Sequence, residues 1–397
     1  VTAKNTVRRT QARLRTLLGR QSPAAAATSL PAALAELART GPVPLSGRTP
    51  ATDAPLRIAT IIPSFRRGSG GHMTIVNLMR ELQALGHEIT LWLEDCEGRH
   101  IRESASVTRE SFAEFFGWEG PPLQTDLSGW SGADVVLATG WQTVARALLL
   151  PEVAARAYLV QDHEPDFYPA SAERLFAEET YRQGLHCIAA SKWLADLLRT
   201  RYGASASHFD LAVDHSIYHP SKARRRDDLV VFYARAVTPR RAVPLGLLAL
   251  AELARKRPDL EIALFGEDRP LQAPFDHTNL GVLPAHELAA VYGRATIGMV
   301  FSLTNPSLIG LEMMACGLAC VELASESMSA TFGNHGPLLL VEPRVQALCD
   351  AVEHLFASSA IRASVADAGI ALTTRRTWAR AGEQVQRGLS IPLEAIG

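Results

Sequence analysis

The chain has 397 residues, too many for one ordinary core and suited to two domains of about 100–200 residues each. Hydrophobic residues make up 47% and charged residues 20%, which excludes wholesale disorder. Forty Lys and Arg against 41 Asp and Glu leave a formal charge of −1, which excludes a global basic field for nucleic acid. Residues 1–20 read as a basic helix with Leu14, Leu17 and Leu18 on one face. It suits either a solvated arm packed on the body or an anchor on anionic lipid. The next thirty residues, rich in Ala, Pro and Ser around PAALAELART, read as a linker or wrapping segment.

From Leu56 strands alternate with helices. RIATIIP, HEITLWLED, ADVVLATG, ARAYLVQD, LHCIAAS and HFDLAVD read as strands. GGHMTIVNLMRELQALG, TVARALLL, SAERLFAEETYRQG and KWLADLLRTRYG read as helices, the first stopped by Gly86. HSIYHPSKARRRDD breaks the pattern and marks a domain boundary near residues 219–228. The alternation then restarts at LVVFYARA and runs to VQALCDAVEHLFAS, followed by an amphipathic helical stretch from Ser359 past Trp378. The fold class is α/β, with two Rossmann-like, doubly wound parallel sheets in tandem.

Five cysteines at 96, 187, 316, 320 and 349 give no disulfide framework. Cys316 and Cys320 lie in an apolar run without a second pair of ligands, so they read as buried thiols rather than a zinc site. No apolar run reaches about 18 residues, and the first residues lack an apolar core segment. Neither a spanning helix nor a signal peptide is expected, and a reducing, cytoplasmic setting follows.

Four segments carry candidate chemistry. In SFRRGSGGHMTI, Gly68, Gly70 and Gly71 lie between a strand and a helix, where backbone can approach a ligand and a helix start attracts an anion. The alternative is an ordinary tight turn; the dinucleotide pattern G-x-G-x-x-G is incomplete, which weakens a dehydrogenase reading. In SLTNPSLIGLEMMACG, Ser307 is a candidate N-cap, and the free N–H groups of Leu308, Ile309 and Gly310 suit a diphosphate. Glu312 sits in an otherwise apolar helix, either as an acceptor for nucleotide sugar hydroxyls or as a core acid paired with an arginine. In FYARAVTPRR, Arg235, Arg240 and Arg241 follow a strand's carboxyl end and suit a diphosphate leaving group, with surface charge as the alternative. In AYLVQDHEPDFYP, Asp162, His163 and Glu164 precede Phe167 and Tyr168, a grouping that reads as substrate contact or as helix capping. Trp141 follows a neighbouring strand, placed either to stack on a sugar or to pack.

These residues resemble the GT-B glycosyltransferases, and within them glycosyltransferase family 4. The matching positions are Ala234-Arg235, Arg240 where a Lys is usual, and Leu311-Glu312-Met313-Met314-Ala315-Cys316-Gly317. QDHEPDFYP followed by AEETYR is similar to the WsaF-type rhamnosyltransferases of bacterial surface glycans. The likeness runs from about Pro55 to Trp378. Two departures stand out: Thr304 occupies the position of the family's first glutamate, and Ala234 replaces a glycine.

The resemblance implies two lobes facing a central cleft. Residues 1–50 would form an arm and linker, 51–222 an acceptor lobe, 223–372 a donor lobe, and 373–397 a helix packing back on the first lobe. A sugar, best matched by L-rhamnose from dTDP-L-rhamnose, would pass from a nucleotide diphosphate to a glycan or lipid-linked glycan acceptor with retention. Arg235, Arg240 and the helix start Ser307–Gly310 would stabilise the departing diphosphate. Glu312 would hold ribose or deoxyribose, and Leu283 the base. Gly70, Gly71, Gly266 and Asn305 would complete the donor site. Trp141, Asp162, Glu164 and Tyr168 would meet the acceptor, with His163 the candidate general base. No Asp-x-Asp motif stands at a strand end, so neither a metal nor another cofactor is expected. Residues 1–20 would allow peripheral contact at the inner face of the membrane. A nucleotide-sugar epimerase and a non-catalytic glycan-binding module are the rival readings.

Overall fold

The computed structural model describes residues 30–46, 50, 54–222, 224–333 and 336–394. The basic helix expected at residues 1–20 lies outside them. PAALAELART forms α1 (Leu30–Thr40), which packs on the first lobe.

Short apolar runs without alternation make strands buried on both faces, as parallel sheets require. In the first lobe these are β1 (Arg57–Pro63), β2 (Glu88–Glu94), β3 (Ala133–Ala138), β4 (Val153–Val160), β5 (His186–Ala189) and β6 (Ala206–His208). They pair in parallel in the order β2-β1-β3-β4-β5-β6, and every residue of β3 and β4 is buried. The connecting helices are α2 (Gly70–Ala84), α3 (Ala105–Phe116), α4 (Trp141–Leu149), α5 (Ala172–Thr180) and α6 (Lys192–Tyr202).

The second lobe repeats the plan with β7 (Leu229–Tyr233), β8 (Glu261–Phe265), β9 (Thr278–Asn279), β10 (Ile297–Met299), β11 (Ala319–Leu323) and β12 (Leu339–Val341). Their order is β12-β11-β10-β7-β8-β9. Its helices are α7 (Val243–Lys256), α8 (Ala285–Arg294), α9 (Leu308–Ala315), α10 (Glu326–Phe332), α11 (Val345–Ala357) and α12 (Ser359–Thr373). Strand order reverses between β1 and β3 in one sheet and between β7 and β10 in the other. Open α/β sheets bind ligands outside the carboxyl ends at such switch points. The expected GT-B arrangement of two doubly wound lobes is therefore present.

Three local readings change. α3 was not anticipated because its buried stripe is thin: Thr108, Phe112 and Phe116 among polar residues, with Ser104 capping Val107 N–H. HFDLAVD is not a strand beyond His208. Phe209 still donates to Ala189, but Val213 donates to Arg376, so the run is an extended crossover, apolar because it is buried between lobes. β10 ends at Met299; Val300 N–H still donates to Val321 O, and beyond it Ser302 N–H goes to the Glu322 side chain instead of to a neighbouring strand.

Two devices join the lobes. Arg225 pins the linker by donating to the carbonyls of Tyr292, Ala295, Cys316 and Gly317 at 2.7–2.8 Å. α13 (Trp378–Glu394) then returns to the first lobe and packs on α2, β4, β5 and β6. A Cβ at Gly388 would sit 2.9 Å from Ile188 Cδ1 and 2.8 Å from Ser207 Oγ. Gly388→Val is therefore expected to cost about 1–3 kcal/mol of stability through overpacking, read as a lower urea midpoint. An unchanged midpoint would show that α13 does not dock there.

Glu322 on β11 is only 3% exposed, and its Oε1 accepts N–H groups from Ser302 and Leu323 at 2.9 and 2.7 Å. Burial pushes its carboxyl up to about 8 despite those bonds. The folded state thus keeps a proton that the unfolded chain releases near pH 4.5. Glu322 contributes its full stability below that point and loses it as pH rises through about 8. Glu322→Gln keeps the acceptor without the charge. Relative to the parent, it is expected to gain about 1–3 kcal/mol between pH 5 and pH 8, read from urea midpoints.

Candidate functional site between the lobes

The loop after β1 reaches across the gap. Gly68 has φ +72°, and a Cβ there would lie 3.3 Å from Arg235 Nη1 and 3.2 Å from Val282 Cγ1. Gly70 opens α2 into free space, and Gly71 lies beside the Gln161 amide. Ser69 does not cap α2; its hydroxyl turns to His72 Nδ1 at 2.8 Å. The first N–H groups of α2 are therefore without a side-chain cap. Arg66, on the same loop, has its guanidinium pKa lowered by partial burial and then by the like charges of Arg235 and Arg99.

Arg235 follows β7, and its Nη1 donates to Gly266 O at 3.3 Å. Gly266 has φ +97°, and a Cβ there would come within 2.4 Å of the Tyr233 ring. Glycine is required there by backbone and space together. Among the described residues, no carboxylate lies within ion-pair distance of Arg235.

Arg240 is placed differently. It belongs to the second lobe, but its Nε lies 3.3 Å from Asp162 Oδ2 and its guanidinium carbon 4.1 Å from the centre of the Phe167 ring. Asp162 Oδ2 also accepts from Thr304 Oγ1 at 2.8 Å, and Oδ1 from the N–H groups of Asn305 and His163 at 3.0 and 2.9 Å. Asn305 Nδ2 donates to Gln161 O at 3.0 Å, and its Oδ1 accepts from Ser191 Oγ at 3.1 Å. Asp162 and Asn305, expected at the acceptor and donor, are thus engaged with each other's lobe.

The remaining first-lobe candidates are also committed within the protein. His163 is 1% exposed, with Nδ1 2.7 Å from Asp166 Oδ2 and Nε2 2.7 Å from Tyr202 Oη, clustered with the rings of Tyr181 and Tyr202. Both nitrogens are occupied, so the ring is not poised as a free base. Glu164 Oε2 accepts Trp141 N–H at 2.6 Å and stands in for a cap at the start of α4, where Gly140 has no side chain. Burial pushes Glu164 up to about 7, against that bond. Trp141 packs: its Nε1 donates to Tyr168 Oη at 3.0 Å and its ring stacks on Phe176. Tyr168 keeps part of its surface open.

The start of α9 is short of partners. Ser307 makes no cap bond, contrary to expectation, and its buried hydroxyl has no partner. Leu308 and Ile309 are half-buried, and Gly310 is buried near Val300. Glu312 Oε2 is buried without a hydrogen bond. Burial lifts its carboxyl to about 7, and the neighbouring Tyr218 hydroxyl is the group that opposes the shift. No arginine pairs with it among the described residues. Leu283 is half-buried in the loop before α8. Among the described residues, no group of three His, Cys, Asp or Glu is arranged around a metal position, and no single helix is long and apolar enough to cross a membrane. Sequence reasoning missed Arg66, Tyr218 and the stacking role of Phe167. The arginine pair Arg66-Arg67 beside the glycines was the one available signal.

Family comparison matches both lobes. The WsaF C-terminal domain matches residues 228–353 and the WsaF N-terminal domain residues 129–192. The O-antigen biosynthesis protein RfbC of Myxococcus xanthus is 31% identical over 270 residues, covering 66% of this chain and 21% of that protein. The chain thus spans about a fifth of the length of the curated relative it matches. HepE of Anabaena, solved with UDP-glucose, superposes with a TM-score of 0.65 at 14% identity over 85% of this chain and all of that one. Sucrose-phosphate synthase from Thermosynechococcus elongatus gives 0.63 at 16% identity over 86% and 99%. A UDP-N-acetylglucosamine 2-epimerase described as putative, from Listeria monocytogenes, gives 0.56 at 12% over 84% and 95%. At these identities the three structures share the fold alone. With WsaF domains matched in both lobes and two facing parallel sheets, the chain has GT-B architecture and is similar to the WsaF family in each lobe.

Proposed function

We propose that the cleft binds a nucleoside-diphosphate sugar and transfers the sugar to a glycan acceptor in bacterial surface polysaccharide synthesis. One observation carries this reading. Arg235 and the uncapped start of α9, with Ser307 Oγ and Glu312 Oε2 unpartnered, line the switch point of the second lobe. Buried polar atoms are rarely left unsatisfied, and such atoms at a crevice point to a ligand. The WsaF and RfbC likenesses support a surface-glycan role, and WsaF-type enzymes suggest dTDP-L-rhamnose as donor.

Cleavage of the donor leaves growing negative charge on the β-phosphate. Arg235, Arg240 and the N–H groups at Ser307–Gly310 meet that charge with donors already in place. Glu312, titrating near neutrality, can accept from or donate to a sugar hydroxyl of the nucleotide. Gly70 and Gly71 let the first lobe approach the phosphates. The acceptor enters beside Tyr168. Since His163 is enclosed, the departing phosphate takes the acceptor's proton, which fits retention. A lipid-linked acceptor suits the basic, leucine-bearing residues 1–20.

A thermal-shift series over dTDP, dTDP-L-rhamnose, UDP and UDP-glucose tests the donor reading. Binding to the native state raises Tm by mass action, by about 2.7 kcal/mol of stability at a hundred times Kd. The dTDP compounds are expected to lead; no shift from any of the four would overturn the reading. Arg235→Ala is expected to cost at least about tenfold in kcat/KM, since a charge-assisted contact contributes about 1.5–3 kcal/mol. NMR of the products separates transfer from epimerisation.

A further inference from the structure

Arg240 is encoded in the donor lobe but held by the acceptor lobe. Its Nε faces Asp162, its guanidinium plane lies over Phe167, and no other carboxylate is within ion-pair distance among the described residues. The same Asp162 carboxylate binds Thr304 and Asn305, the loop that leads into α9. One acid of the first lobe therefore fixes two parts of the second: the arginine beside the switch point and the loop before the helix start.

A guanidinium has five N–H donors in a rigid fork. Asp162 lies 3.3 Å from Nε as an ion pair without a hydrogen bond, and the Nη edges remain for an incoming anion. The ring of Phe167 fixes the plane while leaving the charge intact. These contacts run from one lobe to the other, so they exist only while the lobes are together.

We infer that Asp162 and Phe167 are positioning residues that hold Arg240 and the Thr304–Asn305 loop in their reactive places only when the cleft is closed. Closure and leaving-group stabilisation are thereby one event. This rests on the donor reading above. It adds residues that act through Arg240 without touching the sugar. Asp162 also sets the strength of anion binding. Its negative charge neutralises part of Arg240 and repels a nearby diphosphate, which limits product retention.

The test uses the full chain, measuring release of dTDP from dTDP-L-rhamnose with water as acceptor, and dTDP binding by calorimetry. Asp162→Asn removes the charge and keeps an acceptor oxygen. It is expected to bind dTDP at least about threefold tighter, with kcat reduced at least about tenfold and KM for the donor unchanged or lower. Phe167→Leu keeps bulk without a ring face and is expected to lower kcat by about fivefold with KM within about twofold. Phe167→Trp is expected to restore most of that loss. The inference is overturned if both variants keep wild-type kcat. It is equally overturned if kcat, dTDP affinity and Tm fall together, the pattern of a purely structural role. Should Asp162→Asn fail to fold, the kcat-against-KM split of the two Phe167 variants decides. A wild-type chain that binds neither dTDP nor UDP overturns the donor reading itself, whereas wild-type binding with silent variants overturns only the inference.

Discussion

A parallel sheet delivers all its strand carboxyl ends to one side, and here two such sides face one gap. Polar groups on the loops there find partners in their own lobe, in the opposite lobe or in a ligand. His163 and Glu164 take the first course, and Asp162, Thr304, Asn305 and Arg240 the second, while the Ser307 hydroxyl and a Glu312 oxygen are buried without a hydrogen bond. The gap is at once an interface and a site.

Four buried or nearly buried acids show how finely this divides. Asp162 accepts three hydrogen bonds, forms an ion pair with Arg240 and bridges the lobes. Glu322 accepts two backbone N–H groups, one of them beyond the end of β10. Glu164 closes the start of α4, whose own N-cap is a glycine. Of the four, Glu312 is the one with a fully buried oxygen that lacks a hydrogen bond, beside a tyrosine hydroxyl. An unpaired buried carboxylate is costly unless it takes up a proton or gains a partner. A carboxyl lifted to about 7 at this position has both options, and the second is a ligand hydroxyl.

The architecture was legible because apolar runs and helix stripes are local signals. RIATIIP became β1 with its bounds unchanged, and the break at HSIYHPSKARRRDD separates the last strand of one sheet from the first of the next. HFDLAVD misled because burial between lobes enriches the same residues as burial within a sheet. The candidate site was legible in residue type but not in partner. Asp162, Asn305 and His163 were singled out as polar groups in the loops after strands. Yet a carboxylate offered to a sugar and one offered to the opposite lobe have the same sequence. Only three-dimensional proximity across some 140 residues distinguishes them.

The two arginines after β7 make the consequence concrete. Arg235 donates to the carbonyl of Gly266 in its own lobe and faces the first lobe's glycine loop. That anchor is independent of the first lobe. Arg240 takes both its anion and its stacking surface from the other lobe. A cation of the first kind can capture a diphosphate early; one of the second kind is placed only once the cleft has shut and water is out. On the donor reading proposed above, dividing the two tasks between residues five apart in sequence would let binding precede closure while reserving full charge stabilisation for the closed state.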